Sequence, residues 1–232
     1  MSEVTPTPPA DTGAATYLLT VRGKATPTTT EQARNLHNAT AGNPAGVEAA
    51  RSLGDLSHNV YTACGDAQAG ELLFIDFWNS MSGLAQFFGN PQVLAGADQL
   101  FTTRDAPVWS AVSGFGDFHL TVPSGKQVSG VGLLRVPVSS LEKAADAFTA
   151  YAATTINRSR RHSIVSHSVW TRVPGPGEQP APEVLGVDLW MDAEEMNRYY
   201  DLGLGFDHLG PVFAGTPDTS VWQSAPGEWT EW

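Results

Sequence analysis

The sequence predicts an α+β protein made of two tandem ferredoxin-like βαββαβ repeats. The first observation is an internal repeat, because Ser57 to Thr62 reads SHNVYT and Ser166 to Thr171 reads SHSVWT. The second is that other matches follow in the same order: Asp76-Phe77-Trp78 with Asp188-Leu189-Trp190, Phe87-Phe88 with Tyr199-Tyr200, and Trp109 with Trp222. The offset between copies grows only from 109 to 113 residues, so short insertions separate two copies of one small unit.

The first repeat is defined by its strand runs and helix caps. Thr28 and Glu31 form a predicted capping box, and Asn43-Pro44 restarts the helix until Gly54 stops it. The predicted elements are strand Tyr17–Arg22, helices after Thr28 and Asn43, strands Ser57–Cys64 and Glu71–Trp78, a helix after Ser80, helix Val93–Phe101 and strand Pro107–Val112.

The second repeat has the same order of elements. Its predicted elements are strand Val131–Val136, a helix with the capping box Ser139 to Glu142, strands Ser163–Arg172 and Pro182–Met191, a helix capped by Asp192, and strand Ser220–Gln223. We therefore divide the chain into a disordered tail (1–15), a first repeat (16–118), a linker (119–128) and a second repeat (129–232).

Composition narrows the function classes. The net charge is −11 over 232 residues, and neither repeat is basic, which argues against a nucleic-acid partner. The single cysteine, Cys64, excludes an intrachain disulfide. No apolar run is long enough to span a bilayer and no signal peptide is recognisable. We expect a cytoplasmic protein without a membrane partner.

The duplicated βαββαβ pattern, with an aromatic-rich second helix and a Trp on each closing strand, resembles the dimeric α/β-barrel superfamily. Antibiotic-biosynthesis-monooxygenase-like and EthD-like proteins, haem-degrading monooxygenases and chlorite-dismutase-like proteins belong to it. The resemblance covers about residues 17–232. It implies that both units form one intrachain barrel, with a ligand pocket between the sheet and the helices of each unit.

Three residues of the first repeat are the predicted catalytic group: His58, His37 and Asn38. A histidine with a near-neutral pKa exchanges protons at physiological pH. His58 has an equivalent, His167, which is also what a duplicated structural histidine would give. His37 and Asn38 have no obvious counterpart in the second repeat. This asymmetry is expected if only one copy retains a functional site, and it is equally expected from sequence drift after duplication.

The predicted substrate-binding residues supply flat apolar walls and polar contacts. Tryptophan offers a large apolar face with one N–H donor, and the helix start at Asn43 offers free backbone N–H groups. The predicted set is Asn43, Tyr61, Trp78, Trp109, His167 and Trp222. Strand alternation places Tyr61 on the face opposite His58.

These residues and the resemblance together favour a small-molecule enzyme with an apolar, aromatic-lined pocket. The resemblance suggests a cofactor-independent monooxygenase acting on aromatic or polyketide-like substrates, with a histidine as proton acceptor. Two alternatives stay open: a non-catalytic protein that binds an apolar ligand, and a haem protein with a histidine axial ligand. The expected partner is a small apolar or aromatic molecule, and the aromatic content is compatible with a homodimer.

Overall fold

The computed structural model describes residues 14–122, 124, 126–202 and 209–232. Most of the predicted tail, residues 1–13, lies outside the described residues. Within them the strands are β1 (Tyr17–Ala25), β2 (Asp55–Ala63), β3 (Glu71–Trp78), β4 (Phe101–Asp105), β5 (Val108–Ala111), β6 (Phe118–His119), β7 (Gly130–Pro137), β8 (Ile164–Arg172), β9 (Glu183–Trp190) and β10 (Asp218–Ser224). The α-helices are α1 (Thr30–Ala39), α2 (Pro44–Ser52), α3 (Met81–Phe88), α4 (Pro91–Leu100), α5 (Leu141–Ser159) and α6 (Ala193–Asp201).

Eight of these strands close into an antiparallel barrel. Around the barrel the order is β1-β3-β2-β10-β7-β9-β8-β5, and β5 pairs again with β1. We call β1 to β5 with their helices the first unit, and β7 to β10 with theirs the second unit. The units meet along two seams, β2 against β10 and β5 against β8. The predicted fold class, two tandem ferredoxin-like repeats forming an intrachain barrel, is confirmed.

The two units repeat the same strand register. His58 lies opposite Asp76 in the β2–β3 pair, and His167 lies opposite Asp188 in the β8–β9 pair. Both pairs carry an irregularity at the same place, between Asp55 and Ser57 and between Ile164 and Ser166. The backbone therefore presents each histidine beside its aspartate in the same way.

The barrel interior is filled by side chains from both units. Because successive strand residues point to opposite faces, Tyr61 faces this interior and Val60 faces the helices. The interior cluster consists of Leu18, Tyr61, Leu73, Ile75, Trp109, Val131, Trp170, Leu185, Val187 and Trp222. Burial of these large apolar side chains holds the units together.

Side-chain caps begin the helices. Ser80, Asn90 and Asp192 accept backbone N–H groups of α3, α4 and α6. The predicted caps of α1 and α5 were each one residue early, since Thr29 accepts the N–H of Gln32 and Ser140 accepts that of Lys143. The short strands β4 and β6 were not predicted. None of the described helices is both long enough and apolar enough to cross a membrane.

Two arginines form equivalent ion pairs across the barrel mouth. Arg22 binds Glu71 of its own unit (2.7 Å) and Asp218 of the other unit (3.0 Å), with its guanidinium 5.4 Å from the Trp222 ring. In the second unit, Arg135 pairs with Glu183 (2.8 Å) and with Asp105 of the first unit, and lies 5.4 Å from the ring of Trp109. The offset of 113 residues between Arg22 and Arg135 is that of the repeat.

Each unit is covered by the segment that follows the other unit's strands. After β5, Phe118 pairs with His167, and Asp117 accepts the N–H of Val169 (2.9 Å). After β10, Trp232 exchanges backbone hydrogen bonds with His58 (2.8 and 3.2 Å). The segment at the C-terminal end of each repeat therefore packs on the other unit, and we call these two the crossed C-terminal segments.

Candidate functional site

A chain of buried polar side chains lies between α1 and the sheet in the first unit. His58 Nδ1 is 2.6 Å from Asp76 Oδ1, His58 Nε2 is 3.0 Å from His37 Nε2, and His37 Nδ1 is 3.0 Å from Asn38 Oδ1. The structure thus brings the three predicted catalytic residues together. Each ring nitrogen of His37 and His58 faces another polar group.

Burial controls the charges in this network. Burial and the nearby charge of His58 lower the pKa of His37 to about 4, so its neutral form is favoured. Asp55, at the start of β2, also faces this site, and burial together with the charge of Asp76 raises its pKa to about 8. The network encloses a cavity of only about 60 Å³, because Phe74 and the aromatic rings of α3 fill the space beside the histidines.

The equivalent histidine of the second unit has different neighbours. His167 Nδ1 is 2.6 Å from Asp188 Oδ1, and the Tyr200 hydroxyl donates to Asp188 Oδ2 (2.7 Å). His167 Nε2 is buried and has no hydrogen-bond partner within the described residues. Burial lowers the pKa of His167, but Asp188 and Asp117 outweigh it, so the pKa is raised above its usual value.

A cavity of about 400 Å³ adjoins His167. Two glycines of its lining stand where the first unit has large side chains. Gly132 pairs with Asp188 as Leu19 pairs with Asp76, and Gly186 takes the register position of Phe74. The walls of the cavity include Leu133, Leu134, Phe148, Tyr151, Tyr200 and Leu209, with Gln68, Thr219 and Ser220 adding polar groups.

Gly132 also permits the contact that supports Asp188. A β-carbon at this position would lie 2.1 Å from the Tyr200 hydroxyl. Any larger residue would therefore displace Tyr200 from Asp188. The first unit has Leu19 at this position and Phe88 in place of Tyr200, and so carries no hydroxyl there.

The predicted substrate-binding residues lie in several different places. His167 lines the large cavity, whereas Trp109 lines the charged barrel mouth beside Arg22 and Arg135. Tyr61 and Trp222 belong to the barrel interior. Trp78 is fully buried against the helices of the first unit. Asn43 caps α2, with its oxygen accepting the N–H of Gly46 (2.9 Å).

Sequence reasoning missed the features that open the second site. Tyr200 was noted only as a repeat of Phe88, and the two strand glycines were not singled out. The signal was present in the sequence, since a glycine inside a strand leaves room or marks a close approach. Aligning the copies residue by residue places Gly132 against Leu19 and Gly186 against Phe74.

Comparison with solved structures gives consistent matches over the whole fold. An anthrone oxidase-like protein matches with a TM-score of 0.61 at 13% identity, covering 93% of this chain and 96% of that chain. A Fusobacterium nucleatum protein named "Putative monooxygenase" gives 0.60 at 10% identity (92% and 94% covered). A dye-decolorizing peroxidase from Bacteroides thetaiotaomicron gives 0.53 at 11% identity (91% and 93% covered).

Sequence comparison adds no assignment. No protein-family model matches the chain, and no curated protein sequence matches it. At these low identities the structural matches establish the fold. The chain has the dimeric α/β-barrel fold, with both of its ferredoxin-like units in one polypeptide.

Proposed function

We propose that the chain is an oxidoreductase that binds a small aromatic molecule in the second-unit cavity and removes a proton from it with His167. The observation that carries this proposal is the buried Nε2 of His167, which has no partner within the described residues and belongs to a residue lining a cavity of about 400 Å³. A polar atom buried without a hydrogen bond is costly, and a ligand in this cavity would supply its partner.

The residues behind His167 set it up as a base. Asp188 accepts the Nδ1 proton (2.6 Å), which leaves the lone pair on Nε2. The Tyr200 hydroxyl fixes the other carboxylate oxygen. When Nε2 takes a proton from the substrate, the imidazolium that forms is stabilised by the charge of Asp188.

The reaction needs only dioxygen besides the substrate. Loss of a proton from an acidic CH₂ group beside aromatic rings gives an electron-rich carbanion, which dioxygen oxidises. One oxygen atom enters the product as a carbonyl and the other leaves as water, so that CH₂ and O₂ become C=O and H₂O. Gln68 and Thr219, which line the cavity, are among the donors available to the developing oxyanion.

The lining residues do not fit a haem. Nε2 of His167 has no partner among the described residues, as an axial ligand requires, but a haem also carries two anionic propionates. Among the described residues that line the cavity there is no lysine or arginine, and Asp188 is acidic. A Soret band in the absorption spectrum of the purified protein would overturn this judgement.

The test is oxygen consumption with anthrone as probe, a substrate suggested by the name of one structural neighbour. We expect His167→Gln to lower kcat/KM by about 10² or more, as for loss of a general base, whereas His119→Gln, a change in a largely exposed histidine, serves as the control. If His58→Gln lowered kcat/KM by this amount and His167→Gln did not, the base would be His58 of the first unit instead. Tight binding without oxygen uptake would favour the non-catalytic alternative.

The pH profile provides a second readout. The base works only when neutral, and the pKa of His167 is raised by Asp188 against the effect of burial. Activity should therefore increase with pH through a midpoint above the ordinary histidine value of about 6.5. A midpoint well below that value would contradict His167 as the base.

A further inference from the structure

The proposed reaction does not use the buried histidine pair of the first unit, whose protonation is fixed by its hydrogen bonds. Asn38 Nδ2 donates to the carbonyl of Glu228, and Asn38 Oδ1 accepts the backbone N–H of Thr230 (both 2.9 Å). These two contacts of opposite type set the orientation of the amide. Its oxygen therefore faces His37 Nδ1 (3.0 Å). An amide oxygen only accepts, so His37 Nδ1 carries a proton.

The two histidines then meet through their remaining nitrogens. His58 Nδ1 is held by Asp76 at 2.6 Å, the short distance of a charge-assisted hydrogen bond. The Nε2 atoms of His37 and His58 are 3.0 Å apart, and the two ring planes are parallel to within 3°, with 5.1 Å between the ring centroids, a separation that fits rings meeting edge to edge rather than face to face. This is the geometry of an in-plane N–H···N hydrogen bond.

Only one proton satisfies this contact. With none, two lone pairs would face each other at a site where His37 is fully buried. With two, a pair of N–H groups would oppose each other. We propose that the first unit contains a buried binding site for a single proton, shared between His37 Nε2 and His58 Nε2, and that this proton keeps the C-terminal segment, residues 227–232, docked.

The surrounding charges match one proton. The charged and titratable groups near the pair are Asp76 on β3, Asp55 on β2, Arg51 at the end of α2 and Glu231 in the C-terminal segment. Burial and the charge of Asp76 raise the pKa of Asp55 to about 8, so it is neutral at pH 7. Asp76 then remains as the buried counter-charge, and it balances the shared proton.

The pair is in direct contact with the C-terminal segment. Trp232 stacks on His58 with 4.7 Å between ring centroids, and the two residues exchange backbone hydrogen bonds. Trp229 lies 5.4 Å from the His37 ring. Asn38, which fixes the His37 tautomer, also binds the segment at Glu228 and Thr230. Movement of either ring would therefore disturb the docked segment.

The second unit offers the matched control. At the position equivalent to His37 it has Phe148, which contacts Phe115 as His37 contacts Trp229. His37→Phe copies this arrangement into the first unit, removes one of the two nitrogens and leaves Asn38 in place to hold the segment.

The direct test is NMR of the full chain labelled with ¹⁵N-histidine. We expect a scalar coupling across the hydrogen bond between the two Nε2 atoms, which is lost in His37→Phe. Two separate neutral rings without such a coupling would overturn the proposal. So would X-ray absorption or metal analysis showing that the purified protein, or the protein given Zn²⁺ or Cu⁺, holds an ion between these nitrogens under conditions where the proton should be bound.

The coupling to the segment is tested by amide hydrogen exchange. Because His37 has a pKa lowered to about 4, a second proton enters the pair as the pH falls toward this value. We expect the protection factors of the Thr230 and Trp232 amides to decrease roughly tenfold or more between pH 6 and pH 4, and those of β7 to change much less. An equal decrease in His37→Phe would show that the shared proton does not hold the segment. If His37→Phe does not fold, the wild-type chain alone provides the test. Absence of the scalar coupling would then contradict the shared proton, and absence of a pH dependence in the Thr230 and Trp232 protection factors would contradict its role in docking the segment.

Discussion

The two units hold the same His–Asp pair at the same strand register, yet only one has room beside it. In the first unit, Phe74 and His37 fill the space and His58 is bonded through both ring nitrogens. In the second unit, Gly186 leaves that space open and one nitrogen of His167 has no described partner. Backbone register thus preserves the pair, while the side chains around it decide whether it is a closed network or an open site.

The largest effect is expected when the second unit is given the phenylalanine that the first unit has at the equivalent position. Gly186→Phe should fill the cavity and weaken binding of an aromatic probe by about 100-fold or more, equivalent to about 2.7 kcal/mol. A β-carbon at Gly186 meets only ordinary contacts of 3.7 Å or more, so the fold should persist. Calorimetric binding and thermal unfolding would measure both effects.

A truncation at the equivalent position of the first unit serves as its control. Phe74→Ala should open the first unit and lower the free energy of unfolding by about 3–5 kcal/mol, as for other buried phenylalanines. Unchanged probe binding in Gly186→Phe would mean that the ligand lies elsewhere.

A smaller effect is expected from a change at the tyrosine that supports the Asp188 carboxylate. Tyr200→Phe reproduces the Phe88 of the first unit and removes the hydroxyl that donates to Asp188 (2.7 Å). A hydrogen bond to a charged group contributes about 1.5–3 kcal/mol, so we expect kcat/KM to fall at least tenfold with little change in KM. Steady-state kinetics would measure this. Tyr199→Phe, which leaves that hydrogen bond intact, should behave as wild type; an equal effect of both would rule out a specific role for Tyr200.

The smallest effect is expected for the ion pairs that are equivalent in the two units. Arg22→Ala and Arg135→Ala each remove an ion pair within one unit, an ion pair between the units across the barrel mouth, and a contact with a tryptophan of the barrel interior. We expect each to lower the free energy of unfolding by about 1 kcal/mol. Denaturant unfolding would measure the losses. If the two losses differed by much more than about 1 kcal/mol, the two arginines would not contribute equally to the free energy of unfolding despite their equivalent geometry.

The repeat was sufficient to predict the fold, because matching motifs such as the one around His58 and His167 imply matching strands. The pairing of each histidine with an aspartate was not predicted; it follows from the strand register that the structure shows. The open cavity was not predicted, because it depends on the absence of a side chain at Gly186, and on the room that Gly132 leaves for Tyr200, rather than on any reactive group. The equivalence of His37 and Phe148 was hidden because two helices, α1 and α2, replace the single helix α5.

The crossed C-terminal segments have a consequence for how the chain could be divided. Phe118 covers the histidine of the second unit, and Trp232 covers that of the first. A backbone cut between them, in residues 120–129, would give two fragments that each carry the covering piece belonging to the other. Neither fragment would be self-sufficient, and reassociation of the two would be needed to rebuild either histidine environment.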